Sequence, residues 1–129
     1  MINSILLSTK KPLGLTEEYT VFDQDVLMYI NSVFSILAQL GVGPPEGFSI
    51  DDETAVWSDF NTDVRLNTIQ SYVYLRVRLL FDPPTTSYLL AAVQEQIKEL
   101  EWRMNVYNET PDTNNPPLSY VIDGGTPSD

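Results

Sequence analysis

Acidic side chains are the groups of this sequence best placed to do chemistry, and they gather at two points. Asp51, Asp52 and Glu53 are consecutive, and Asp23 and Asp25 are two residues apart. Hard cations prefer carboxylate ligands, but an EF-hand loop requires alternating acids, a glycine and a distant glutamate. Neither cluster has that spacing, and both lie where a helix is predicted to begin, which favours acids. We therefore expect helix capping here and no metal site.

The sequence lacks the side chains that usually support nucleophilic catalysis. A serine or threonine nucleophile needs a base, and the 129 residues contain neither histidine nor cysteine. Lys10 and Lys11 flank a predicted surface turn, and Lys98 lies on a polar helix face, so none is placed to act as the base. The glycine-rich GVGPPEG at 41–47 brings Glu46 and no basic residue, unlike a phosphate-binding loop. We expect no catalytic residue, no cofactor and no enzyme activity.

The charge balance excludes other classes of function. Eighteen acidic residues face seven basic ones, giving a formal net charge of −11. Gripping nucleic acid by its phosphates, or adhering to anionic lipid, needs the opposite balance. No apolar run is long enough to span a bilayer, and the first residues do not have the pattern of a signal peptide. We expect a protein of a cytoplasm or of a particle assembled there, with an acidic surface that is either ordinary or able to lie near DNA without binding it.

Helical periodicity runs through most of the chain. A short helix is predicted over 2–11 and a longer one from Thr20 or Asp23 to Gly41, each ended by glycine or proline. Ser49 and Asp52 have the spacing of a capping box before a short helix that carries Trp57 and Phe60. The predicted fold is all-α, a small bundle of four to five helices over residues 1–107.

The last two predicted helices have the clearest apolar stripes. The helix over 62–81 places Asn67, Ser71, Tyr74 and Arg78 opposite its apolar face, with Tyr72, Arg76 and Leu79 on the flank. Glu99 and Arg103 of the final helix have the spacing of an ion pair. The apolar faces are Leu66, Ile69, Val73, Val77 and Leu80 in the first helix, and Leu90, Val93, Ile97, Leu100, Met104 and Tyr107 in the second.

Large aromatic and arginine side chains are the candidates for contacts with partners, because such residues anchor interfaces. Trp102 lies off the apolar seam of the last helix, which favours an interface over the core. Trp57 either completes the core or contacts a partner. Tyr74, Arg76 and Arg78 are either solvated or part of the same contacts between subunits or with a neighbouring protein.

Residues 108–129, the C-terminal arm, have a different pattern. Leu118, Tyr120 and Ile122 alternate with Ser119, Val121 and Asp123, which is the period of a β-strand. A single strand has no partner inside a helical bundle. We therefore expect the arm to add to a sheet edge, or to lie in a groove, on another protein.

Three segments carry a combined pattern: INSVFSILAQLGVGPPEGFSI at 30–50, YVYLRVRLLFDPP at 72–84 and ELEWRMN at 99–105. Together they resemble the head–tail connector, or adaptor, proteins of long-tailed bacteriophages, in the form found in phages and prophages of Gram-positive bacteria. The resemblance covers roughly residues 1–107 and rests on the order and spacing of all three segments. The arm matches no motif of the family.

The resemblance implies a structural protein of the virion neck that catalyses nothing. It implies a ring of about twelve copies below the portal, extending the DNA channel and offering a platform to the stopper or next neck protein. By position, it also implies that the arm binds the portal through Leu118, Tyr120 and Ile122. DNA would pass through the ring without specific binding, and no membrane would be involved.

Two other classes compete with this interpretation. A free acidic helical protein could mimic DNA and inhibit a DNA-binding host factor, which explains the charge but not the three matching segments. A small enzyme is disfavoured because no base, thiol or metal site is present.

Overall fold

The computed structural model describes residues 3–60 and 65–109, and this part of the chain is helical. The all-α prediction is confirmed. The elements are α1 (Ile5–Lys10), a 3₁₀ helix (Lys11–Leu13), α2 (Asp23–Gln39), α3 (Trp57–Phe60), α4 (Leu66–Phe81) and α5 (Ser87–Glu109).

The predicted ends of the first two helices are confirmed. The Ser4 hydroxyl caps α1 by accepting from the Leu7 amide at 3.2 Å, and the 3₁₀ helix ends at Gly14. Gly41, with a φ of +79°, follows α2 in the left-handed conformation that ends many helices. At the start of α2, however, Phe22 occupies the capping position, so neither Thr20 nor Asp23 caps the helix through its side chain.

The predicted capping box at Ser49 and Asp52 is wrong. Residues 51–55 are not helical, and α3 begins only at Trp57. The Asp52 carboxylate instead accepts from the Thr54 amide at 2.9 Å, which closes a local turn that competes with helix formation. The side chain of Asn31 on α2 holds the loop that follows α2 and ends at Ile50. Its Oδ1 accepts from Ile50 N at 2.8 Å, and its Nδ2 donates to Ile50 O at 3.0 Å.

An aromatic cluster joins this loop to the core. The Phe34 ring on α2 stacks on Phe60 of α3 with centroids 4.8 Å apart, and Phe48 of the loop meets both rings edge-on. Trp57 packs edge-on against Phe34, and its indole nitrogen donates to Ser8 of α1 at 2.8 Å. The cluster thus fixes α1, α3 and the loop on one side of α2.

The α4–α5 hairpin completes the bundle. Residues 82–86 turn the chain, and Ile97, Leu100 and Met104 of α5 are buried in the core. On α4, Ile69, Val73 and Val77 are fully buried as predicted. Two positions differ: Tyr72, placed on the flank by the sequence, is fully buried because α5 lies on that side, whereas Leu80 is 50% exposed.

Candidate interaction surfaces

Lys10 is buried, although the sequence placed it at a surface turn. Its ammonium group lies 2.8 Å from Asp23 Oδ1 and donates to the carbonyls of Tyr19 at 2.8 Å and Glu17 at 3.2 Å. Two carbonyls accept hydrogen bonds from the ammonium group, and the Asp23 carboxylate neutralises its charge. Lys10 therefore ties the segment before α2 to α1, and its charge is committed to structure.

Tyr72, Arg76 and Glu101 form a polar cluster between α4 and α5. The Tyr72 hydroxyl donates to Glu101 Oε2 at 2.6 Å and accepts from Arg76 Nε at 3.0 Å. Arg76 Nη2 donates to the same carboxylate oxygen at 2.7 Å. Each member has two partners in the cluster, so the two helices are fixed in register.

The cluster shifts the pKa values of its members in directions that favour a neutral Tyr72 and a charged Glu101. Burial, reinforced by the hydrogen bond to Glu101, raises the pKa of Tyr72 to about 12. Burial alone would raise the pKa of the Glu101 carboxyl, but hydrogen bonds from Tyr72 and Arg76 outweigh it and lower that pKa. A neutral phenol beside a charged carboxylate and guanidinium is thus stable across the physiological range. This arrangement supports packing and offers no poised general base.

The five predicted interface residues occupy different environments. Trp57 is only 3% exposed and packs edge-on against Tyr74. Trp57 therefore belongs to the hydrophobic core of its own chain. Arg76 is half-buried in the polar cluster, whereas Arg78 is exposed on the outer side of α4.

Trp102 is the predicted interface residue with the most distinctive position. Its side chain is 57% exposed on the outer side of α5. Arg103 beside it donates to Glu99 at 2.6 Å, which confirms the predicted i,i+4 pair. Among the described residues, no hydrogen bond, ion pair or ring contact joins Trp102 to Tyr74, Arg76 or Arg78. The arm residues Leu118, Tyr120 and Ile122 lie outside the described residues.

Most of the acidic side chains face solvent. Asp51, Asp52 and Glu53 are exposed, and Asp23 and Asp25 occupy the first turn of α2 as predicted. Among the described residues, no three acidic side chains come together in a way that would hold a metal ion. Over 3–60 and 65–109, no helix is both long and apolar enough to cross a membrane.

A comparison with protein families gives one decisive result. The model of a family described as phage connector protein matches residues 5–111. The chain belongs to the phage connector family. The match spans all five α-helices, so the bundle is the connector domain. No curated protein and no solved structure matches the chain.

As a phage connector, the protein is a structural component of the virion that joins head to tail. Its conspicuous surface features are apolar side chains left exposed by the bundle. They are Tyr19, Val21, Met28, Leu80, Tyr88, Leu89 and Trp102. Apolar side chains of this kind mark sites of association where they form a contiguous patch.

The sequence did not reveal several residues that the structure places in polar contacts or in exposed apolar positions. Glu101 and Lys10 were not identified as buried partners, although Glu101 directly follows the seam residue Leu100. The helical spacing of Tyr72 and Arg76, four residues apart, was the available signal that one acid could contact both. Tyr88 and Leu89 were missed because no pattern in the sequence shows where a bundle stops covering its own helices.

Proposed function

We propose that this phage connector forms the adaptor ring between the portal and the next neck protein, and that the ring extends the DNA channel. The family match over residues 5–111 is the observation that carries this proposal. The resemblance noted in the sequence favours long-tailed phages of Gram-positive bacteria. A ring of about twelve copies is the size that the resemblance implies.

The surface chemistry agrees with a channel lining. A wall of exposed carboxylates repels the phosphate backbone, so DNA can slide through without being trapped. The chain has a net charge of −11, and its described acids are mostly exposed. Its buried polar groups are engaged in packing, which fits a structural subunit.

The C-terminal arm is the proposed portal-binding element. Leu118, Tyr120 and Ile122 would lie on one face of an extended segment, where alternate side chains enter pockets while the main chain pairs with the portal. Pro116 and Pro117 would stiffen the approach and lower the entropy lost on docking. Asp123 and the two glycines that follow it favour a turn where the strand ends.

Binding to the portal protein of the same phage tests this assignment. Replacing Leu118, Tyr120 and Ile122 together with serine should weaken co-sedimentation with the portal more than roughly tenfold, since three apolar anchors are lost. Ser119→Ala, on the other face of the segment, is the matched control and should bind as wild type. Circular dichroism should show a folded bundle in both variants. Normal portal binding by the triple variant would contradict the assignment of the arm.

The net charge of −11 is the observation that favours a second function, inhibition of a DNA-binding host factor by charge mimicry. Such an inhibitor would remain a monomer or dimer and would capture a basic host protein. An adaptor would associate with the portal instead, so the same co-sedimentation experiment separates the two functions.

A further inference from the structure

Exposed apolar side chains concentrate at one end of the bundle. The rings of Phe22 and Phe81 meet edge-on at 5.3 Å, which places the start of α2 beside the end of α4. The turn at 82–86 brings the start of α5 to that same end. We name this region the open end; its exposed apolar residues are Tyr19, Val21, Leu80, Tyr88 and Leu89.

The open end continues apolar stripes that are buried elsewhere in the bundle. Leu80 lies seven residues, or two helical turns, after Val73, which is fully buried, yet half of Leu80 is exposed. Leu90 and Val93 are likewise only half-buried, whereas Ile97 further along the same seam is buried. The apolar stripes therefore continue at this end beyond the burial that residues 3–60 and 65–109 of one copy supply.

Trp102 forms a second apolar surface, far from the first. It lies fourteen residues after Tyr88 on the same helix, which is about 21 Å at the helical rise. Since α5 is a continuous helix from Ser87 to Glu109, Trp102 cannot reach the open end of its own chain. One chain thus carries two distinct apolar surfaces at opposite ends of one helix.

The charges around the two surfaces differ, and one cation beside Trp102 can match the acids of the open end. Glu17, Glu18 and Asp82 flank the open end, are exposed, and make no ion pair within the described part of the chain. Beside Trp102, Arg103 is committed to Glu99 at 2.6 Å, whereas Lys98 is exposed and only loosely paired. The Lys98 ammonium group lies 3.9 Å from Glu95, a loose pair that can exchange for an acid on another molecule. Contact between copies of a chain with a net charge of −11 requires such local matching.

We infer that Trp102 of one copy docks onto the open end of the next copy, with Lys98 facing its acidic rim. A contact between two different surfaces is head-to-tail, and repeated head-to-tail contacts close into a ring when the rotation between copies permits. The inference rests on the proposed adaptor function and assigns the two surfaces that build its ring.

Disulfide trapping tests the contact, because the natural sequence contains no cysteine. Ser87→Cys labels the open end and Asn105→Cys labels the surface of Trp102, both at exposed positions. Mixed in equal amounts and oxidised, the two variants should form the Ser87→Cys to Asn105→Cys product in clear excess over either self-linked product. Trp102→Ala in the Asn105→Cys chain should reduce the mixed product roughly tenfold, as should Leu89→Asp in the Ser87→Cys chain.

Each other outcome counts against the contact. A mixed product only about twice as abundant as either self-linked product would show random collision, and self-linked products that equal or exceed it would show a symmetric contact. Cross-linking of Ser87→Cys to Ser119→Cys in preference to Asn105→Cys would show that residues 110–129 fill the open end. A mixed product that survives Trp102→Ala would remove Trp102 from the interface.

The proposed function fails by a different result. Wild-type chain that does not bind portal, while the mixed disulfide still forms, would contradict the adaptor role and leave the head-to-tail contact standing. Portal binding without the mixed disulfide would contradict the contact alone.

Discussion

Tyr72, Arg76 and Glu101 show how single residues stabilise this bundle. The phenol of Tyr72 is buried and the guanidinium and carboxylate are half-buried, and each group has both of its partners within 3.0 Å. Removing one member deprives each of the other two of one hydrogen bond, which is why the cluster should be sensitive to substitution and to pH.

The cluster predicts a loss of stability in alkaline solution. The Tyr72 pKa is about 12 in the folded chain against 10.0 for an ordinary tyrosine, so the unfolded chain loses this proton first. The contribution of the phenol is complete below pH 10 and falls as the pH rises to about 12. Thermal melts across this range should show the loss in wild type and a smaller loss in Tyr72→Phe.

Tyr88→Phe is the matched control for that experiment, because Tyr88 is 82% exposed. It should follow the wild-type pH dependence. The acid side has the opposite sign: the lowered pKa of Glu101 gives stability present above 4.5, its ordinary value, and lost as the pH falls through the folded value. Identical alkaline curves for wild type and Tyr72→Phe would contradict the assignment of the Tyr72 proton.

Gly43 allows a second prediction at this scale. Its φ is +97°, and a Cβ at this position would lie 2.6 Å from the Phe60 ring. Gly47 has a similar φ of +92°, but a Cβ added there would meet nothing within 4 Å. Gly43→Ala should therefore be clearly more destabilising than Gly47→Ala, which should cost about 1 kcal/mol for the backbone alone. Equal free energies of unfolding in urea would show that Phe60 moves aside freely.

Leu100 and Trp102 separate folding from assembly. Leu100 is buried against α4, so Leu100→Ala should lower the free energy of unfolding by about 2–5 kcal/mol. Trp102 is mostly exposed, so Trp102→Ala should change stability by less than about 1 kcal/mol while weakening contacts between copies. Chemical denaturation of both variants measures the difference. Unfolding of the Trp102→Ala monomer would place Trp102 in the core.

At the level of helices, apolar periodicity predicted most of the fold. The seam residues Ile97, Leu100 and Met104 are buried as expected, because a bundle must cover the face on which apolar residues recur. The glycine after α2 ended its helix as predicted, since a glycine acts locally.

The sequence-based predictions failed at two kinds of position. At one kind, contacts between residues distant in the sequence determine burial; at the other, the same residues can form two local structures. Lys10 is buried only because Asp23 and two carbonyls converge on it, and nothing in its sequence neighbourhood predicts that convergence. Asp52 closes a turn with Thr54 instead of capping a helix, two local structures that the same residues can form. The exposure of Trp102 was predictable from its position off the seam. The exposure of the open end was not, because it depends on where the neighbouring helices stop.

The arm is predicted to be independent of the bundle. The core described for residues 3–60 and 65–109 draws on all five α-helices, so deletion of residues 110–129 should leave the helical circular dichroism and the melting temperature nearly unchanged. Portal binding should be lost in the same variant. A large fall in melting temperature would show that the arm packs within its own subunit.

For the whole molecule, the net charge sets how copies can meet. About twelve copies would bring on the order of −130 charges to the proposed ring, so repulsion between copies is screened by salt and must be offset by apolar contacts. The open end and Trp102 supply such contacts, and the exposed acids elsewhere remain free to line a channel.

The central claim is that this phage connector assembles as a ring on the portal. Native mass spectrometry of the purified chain mixed with the portal protein of the same phage tests it most directly. The account predicts a complex in which one portal carries a closed ring of about twelve connector chains, with partial rings at low connector concentration. A connector that stays a monomer or dimer beside unoccupied portal would contradict the account.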